Sequence, residues 1–137
     1  MKKYTLLVLL GISLNVFGAT TEDNCLAVAI HKEASQTNVI DQKAVYQVIK
    51  NRMRKENKTA CSVIKEPSQF SFVTKRTNWS ATKPMLKKLS VAKNHPKVIG
   101  ENVLWYHNTS VNPRWNRKLK LVKKIDGHRY YAKYKTS

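Results

Sequence analysis

Two regular patterns of apolar and polar positions divide the chain. The stretch Cys25–Gln36, "CLAVAIHKEASQ", predicts a first helix over roughly Cys25–Ser35, with Asp23 or Asn24 as its N-cap. At about 100° per residue, Leu26, Ala29, Ile30 and Ala34 fall on one side. Glu33 projects between Ala29 and Leu26, so a carboxylate occupies the buried stripe, with His31 and Lys32 flanking it on more exposed sides. After the polar joint "QTN", the run "VIDQKAVYQVIKNRMRKENK" predicts a second helix from about Asp41 to Lys55. Asp41 is its expected N-cap, and Ile40 and Val45 have the spacing of a hydrophobic staple. Ala44, Val45, Val48, Ile49 and Met53 form its apolar face. Lys50, Arg52, Arg54 and Lys55 crowd its C-terminal part, where the helix dipole favours cations.

Beyond these helices the pattern shortens. "ACSVIKE" predicts a short helical turn that Pro67 stops. In "PSQFSFVTKRTNW", Phe70 and Phe72 alternate with Ser71, which predicts an extended stretch with one aromatic face. "TKPMLKKLSVAKNH" restarts a helix: Pro84 sits at the first helical position, and Met85, Leu86, Leu89 and Ala92 follow at helical spacing. "VLWYHN" reads as extended, and "NPRWNRKLK" as a turn with a helical fragment. "LKLVKKIDGHRYYAKY" places Asp126-Gly127 between two β-prone runs, the signal of a hairpin with a type I′ turn. Helices first, then short strands and a C-terminal β-hairpin, predict a small α+β domain.

Charge and export change the picture next. The 137 residues carry a formal net charge of +18, which calls for a polyanionic partner: nucleic acid, an anionic membrane or an acidic wall polymer. The N-terminal "MKKYTLLVLLGISLNVFGA" narrows that choice. Two lysines, an apolar run too short to span a bilayer, and small residues at Gly18 and Ala19 make the three-part pattern of a secretory signal. Residues 1–18 are thus expected to be a leader, and residues 19–137 an exported domain, periplasmic or extracellular, with no stable membrane span after processing. Loss of Lys2 and Lys3 with the leader lowers the charge from +18 to +16. Export favours the cell envelope over nucleic acid, and no recognisable nucleic-acid module groups the basic residues. It also favours pairing of the two cysteines, Cys25 and Cys61, for which only one pairing exists.

Candidate chemistry follows from the eight acidic residues. Asp23 and Asp41 read as helix caps, Asp126 as a turn residue and Glu56 as part of a charge run. Glu33 is different. Burial penalises its ionised form and should raise its pKa, and a carboxyl group kept protonated near neutral pH is what a general acid needs for glycoside cleavage. A structural glutamate paired with Arg52 or Lys43 would show the same periodicity. No "HExxH", paired CxxC, "GxSxG" elbow or glycine-rich phosphate loop is present, so neither a metal nor a cofactor is expected.

Several segments together carry a resemblance. "NCLAVAIHKEASQ…DQKAVYQVIKNRM…TACSVIKEPSQFSF" resembles the catalytic domain of the SleB-type cell wall hydrolases, the spore cortex-lytic family. That family shows "CLAxAIYxEARGE", "GQxAVAxVxLNR" and "TVCxVVxxxxQFSW" in the same order. The segment "ENVLWYHNTSVNPRWNRKLKLVKKIDGHRYYAK" is similar to its "AxxFHNxxVxPxW…IGxHxFY". The resemblance spans roughly Asn24 to Tyr131.

The resemblance implies a lysozyme-like, lytic-transglycosylase-like fold acting on peptidoglycan glycan strands. Glu33 matches the catalytic glutamate. Gln69, Phe70 and Ser71 match a segment of the glycan groove, and Tyr106, His107 and Asn108 match the second signature, ahead of Pro113 and Trp115. Taken alone, Phe70, Trp105 and Trp115 are equally readable as core aromatics. The chain departs from the pattern at "ARGE", here Ala34-Ser35-Gln36-Thr37, which loses a glutamate. It departs again at "GQ", here Asp41-Gln42, and His31 replaces an aromatic. A two-carboxylate mechanism needs a partner for Glu33. With one good candidate, the implied route is that of a lytic transglycosylase cutting the MurNAc-GlcNAc bond, in which the sugar supplies its own nucleophile. The alternatives are a non-catalytic cationic protein that holds anionic wall polymer, and an N-acetylmuramoyl amidase.

Overall fold

A computed structural model describes residues 19–67 and 69–135; the expected leader, residues 1–18, lies outside them. Among the described residues four α-helices come first: α1 (Thr21–Ala34), α2 (Val39–Glu56), α3 (Ala60–Ile64) and α4 (Lys83–Asn94). Strand β1 (Val103–Asn108), a 3-10 turn (Arg114–Lys118), β2 (Lys120–Ile125) and β3 (His128–Ala132) complete the order. The strands form an antiparallel sheet in the order β1-β3-β2. This is the α+β arrangement that the pattern predicts. Among the described residues no helix is long and apolar enough to cross a membrane.

The helices start earlier than the sequence suggests. Thr20 caps α1 by accepting from the Asp23 amide, and Asn38 caps α2 by accepting from the Asp41 amide. Asp23 and Asp41 therefore stand inside the first turns rather than at the caps. Ile40 is inside α2 and 41% exposed, so it makes no staple over Val45. The stretch around Phe70 and Phe72 is not a strand. With no partner strand its backbone bonds to itself, Val73 N donating to Phe70 O at 3.1 Å. Phe70 and Phe72 meet in this turn, ring centroids 5.8 Å apart.

The core forms where the apolar stripe of α1 meets α2, α3 and α4. Ala29, Ile30, Ala44, Val45, Ile49 and Val63 have no measurable exposure. Cys25 and Cys61 are joined, with Cα atoms 5.4 Å apart, tying α1 to α3. Closing this loop of 36 residues stabilises the fold by about 3–4 kcal/mol in the chain-entropy account.

Three amides lace the helices to one another and to the first strand. Gln42 donates to the carbonyls of Ala34 and Thr37 and fixes the end of α1 against α2. Gln47 accepts from Val98 and Ile99 and donates to Ile99 O. Asn51 donates to Gly100 O and Val103 O, each at 2.9 Å, and so sets where β1 begins. The β1–β3 register then pairs Tyr106 with Tyr130 and Asn108 with His128. In the β2–β3 hairpin, Asp126 takes the left-handed conformation at φ 44°, which aspartate tolerates better than most residues. Its carboxylate accepts from the Asn38 amide at 2.8 Å, joining the hairpin turn to the start of α2.

Candidate active site

The last turn of α1 ends at the floor of a cleft of about 840 Å³. Glu33 lies there because the stripe that buries Ile30 and Ala34 carries it inward, while the Gln42 clamp holds the helix end in place. The opposite wall is β1, from which Leu104, Trp105, Tyr106, His107 and Asn108 contribute to the lining. Gln69, Phe70 and Ser71 come from the turn after α3, Arg52 from α2, and His128 from β3. The structure therefore brings Glu33, Gln69, Phe70, Ser71, Tyr106, His107 and Asn108 to one cavity. Among the described residues lining it, Glu33 is the only carboxylate.

Glu33 is half-buried and makes no ion pair among the described residues. Arg52 turns to Glu56 instead, at 3.7 Å, and Lys43 donates to Lys93 O. The contact of Glu33 is with Tyr106, whose hydroxyl donates to Glu33 Oε1 at 2.5 Å. Burial raises the pKa of Glu33. The Tyr106 hydrogen bond and the charge of nearby His128 oppose that rise without cancelling it. Burial, and then the adjacent Glu33 carboxylate, push the Tyr106 phenol well above its ordinary value, so it remains a donor. Glu33 is thus a carboxyl group biased toward its protonated form. One oxygen is held by a neutral donor, and an open cleft lies before it.

The other predicted residues differ in what they can offer. Gln69, Ser71 and Asn108 are exposed at the mouth. Asn108 Oδ1 already accepts from Ser110 N. Phe70 is only 5% exposed and packs against Phe72 and Tyr106, so it forms floor rather than rim. His107 has both ring nitrogens engaged, with Asn108 O at 2.8 Å and the Tyr131 hydroxyl at 2.7 Å. It stacks on Tyr131, and Trp115 stands edge-on to both. Trp115 lines the cleft with 40% of its surface exposed, and Trp105 is half-buried beside it. Neither tryptophan is a fully buried core aromatic.

Residue-by-residue reading missed Arg52, Lys32 and His128 as cleft residues. Arg52 reads as one of several helix-end cations. His128 comes after a turn signal and has no periodicity to mark it. Among the described residues no group of three His, Cys, Asp or Glu side chains is placed to share a metal ion.

Comparison with known proteins supplies the family. The cell wall hydrolase family model matches residues 36–131, well over half of the chain. The protein belongs to the cell wall hydrolase family. It is accordingly a peptidoglycan-degrading enzyme, cell-wall-associated or exported. The match begins three residues after Glu33. The fold of this hydrolase is shared with the catalytic domain of the germination-specific lytic transglycosylase SleB from Bacillus anthracis. That domain is 24% identical, with a TM-score of 0.69, over 83% of this chain and 96% of that one. At this identity the likeness speaks to the fold. No curated protein sequence matches the chain significantly.

Proposed function

We propose that this hydrolase cleaves the MurNAc-GlcNAc glycosidic bond of peptidoglycan as a single-carboxylate lytic transglycosylase, with Glu33 as its acid and base. The observation that carries the reading is the state of Glu33: half-buried, pKa raised, one oxygen held by Tyr106, and alone as a carboxylate among the described residues of the cleft. In the first step Glu33 gives its proton to the glycosidic oxygen as the bond from that oxygen to the anomeric carbon breaks. Glu33 then takes the proton of the muramic acid C6 hydroxyl as that oxygen closes onto the anomeric carbon. The product ends in a 1,6-anhydro ring, Glu33 is again protonated, and no water is consumed. The sugar brings its own nucleophile, so no second carboxylate is needed.

Gln69, Ser71 and Asn108 at the mouth are suited to bond sugar hydroxyl and acetamido groups. Trp105 and Trp115 offer faces for the pyranose rings. The SleB catalytic domain, described as a lytic transglycosylase, has this fold, which supports the same chemistry here. Residues 1–18 act as an export signal in this reading and deliver the domain to the periplasm or cell exterior.

Mass spectrometry of digested peptidoglycan tests the reaction. Anhydro-muramic ends are expected. Reducing ends would replace transglycosylation with hydrolysis, and freed stem peptides would move the cut to the amide bond. The cationic surface, +16 after loss of the leader, is expected to hold anionic wall polymer. Cosedimentation with wall fragments should fall steeply between about 0.1 M and 1 M salt, as the screening length shrinks from about 10 Å to about 3 Å. Binding that ignores salt over that range would remove the electrostatic partner.

A further inference from the structure

Behind the cleft wall lies a cluster that the reaction above does not use. Asp41 has no measurable exposure. Its Oδ2 accepts from His128 Nδ1 at 2.6 Å, and its Oδ1 from the Tyr130 hydroxyl at 2.6 Å. His128 and Tyr130 alternate along β3, so both rings leave the same face of the sheet. Between them and Glu33 stands Tyr106. The His128 ring meets it edge-on, centroids 5.0 Å apart, and the Tyr130 ring lies against it at 5.6 Å. Tyr106 in turn donates to Glu33.

We propose that Asp41 is a positioning residue for Glu33, acting through His128, Tyr130 and Tyr106. The inference rests on the reading of Glu33 as the acid. A short hydrogen bond from a phenol is sensitive to ring tilt, since a few degrees at the ring carry the oxygen by tenths of an ångström. The tilt of Tyr106 is limited by His128 and Tyr130, which lie side by side against it with their own centroids 6.2 Å apart, and by Phe70 at 6.5 Å. Tyr130 is packed in the core, but the side-chain hydrogen bonds that tie His128 and Tyr130 to the helices all go to Asp41, in the first turn of α2. Asp41 thereby transmits the position of α2 to the proton donor beside Glu33. It also fixes which edge of His128 faces the cleft. The burial of Tyr130 and the nearby Asp41 keep its phenol far above its ordinary pKa, so this support stays a donor across the working range of pH.

The charged and titratable groups that share the cleft with Glu33 are Lys32 from its own helix, Arg52 from α2, Tyr106 and His107 from β1, and His128 from β3. Of these, Tyr106 and His128 hold the pKa of Glu33 down against burial. Weakening either is expected to raise it.

The test is a double-mutant cycle on the full chain, with solubilised glycan strands as substrate. Asp41→Asn should lower kcat about 10–100-fold and leave KM within about threefold, the pattern of misplacement rather than lost binding. The alkaline limb of the rate profile, where Glu33 loses its proton, should move to higher pH in Asp41→Asn and in His128→Asn. Asp41→Asn added to Tyr106→Phe should cost much less than it costs alone, because the donor it positions is already gone.

Additive losses with an unmoved alkaline limb would overturn the proposal, as would wild-type kcat in folded Asp41→Asn. If Asp41→Asn does not fold, the limb in His128→Asn decides. Loss of the fold in both makes the cluster a structural prop and also overturns it. Glu33→Gln separates the layers. An inactive Glu33→Gln with an additive cycle removes only the role of Asp41, whereas an active Glu33→Gln removes the catalytic reading and this inference together.

Discussion

Two carboxylates eight residues apart in sequence, Glu33 and Asp41, occupy opposite kinds of site. Glu33 is in the last turn of α1, where the negative end of the helix dipole opposes an ionised acid. Asp41 is in the first turn of α2, where the positive end favours one. Asp41 is the more deeply buried, yet both of its oxygens are occupied by donors that belong to the fold. Glu33 has one donor and an open cleft. Burial by itself therefore does not make an acid reactive. What separates the two is unsatisfied hydrogen-bonding capacity facing a space that a substrate can enter. Removing Glu33 should damage the reaction and spare the fold. Removing Asp41 should damage the fold unless its hydrogen bonds are imitated.

The sharpest break of this comparison is Glu33→Gln. Glutamine keeps the shape and still accepts from Tyr106, but has no proton to give to the leaving oxygen. Activity on peptidoglycan should fall by about 10²–10⁴, with the circular dichroism spectrum unchanged. Retention of most of the activity would take Glu33 out of the mechanism.

The second break is Asp41→Ala. It leaves the buried His128 Nδ1–H without its partner and the Tyr130 hydroxyl with only the longer bond to the Asp41 backbone carbonyl, 3.3 Å away, at a cost of about 2–4 kcal/mol. Urea unfolding should show that loss as a lower midpoint at constant slope. A midpoint within a few tenths of a molar of wild type would mean that water or a shifted side chain replaces the carboxylate.

The difference between the two acids was only half legible in the sequence. Glu33 stands out because helical periodicity puts a charge where only apolar residues belong, and periodicity is local information. Asp41 was misread as a cap for the same reason. It comes after a polar joint and opens an apolar run, but Asn38, three residues earlier, takes the cap. The partners that give Asp41 its role lie 87 and 89 residues away, a distance over which no spacing rule operates. Tyr106 was placed near the site by resemblance, yet its bond to Glu33 spans 73 residues and depends on the β1–β3 register. The helix order and the hairpin were readable because caps, periods and turn residues act within a few positions. The turn around Phe70 was not, because alternation over three residues fits a strand or a tight turn equally well. Two of the three departures from the family pattern meet here as well. Thr37, where that pattern carries a glutamate, lies against the hairpin turn at Gly127. Asp41, where it carries a glycine, supplies a carboxylate to His128 beside that turn.

Tyr106→Phe sharpens the comparison with a smaller effect. It deletes the donor to Glu33 and leaves the aromatic packing against His128 and Tyr130 in place. The bond favours the ionised form of Glu33, so its loss should raise the pKa of Glu33 further and move the alkaline limb of the rate profile upward. The rate at the optimum should drop by about tenfold, the scale of one hydrogen bond to a charged group. A limb that moves downward would show that the phenol stabilises the protonated carboxyl instead.

The smallest expected effect concerns stability, and its sign is opposite for the two variants. The folded-state pKa of Glu33 is raised above its ordinary 4.5, so the folded protein holds this proton more tightly than the unfolded chain. Below pH 4.5 both states are protonated and Glu33 imposes no penalty. As pH rises from there through the folded-state value, the unfolded chain releases the proton first, and folding becomes progressively less favourable than it would be without the group. Glu33→Gln removes this dependence. Its stability should match wild type near pH 4 and exceed it modestly near pH 7, while Asp41→Ala is less stable than wild type at both. Parallel urea titrations at the two pH values measure the crossing. If Glu33→Gln were less stable than wild type at pH 7, Glu33 would be a structural carboxylate like Asp41, and the contrast between the two sites would disappear.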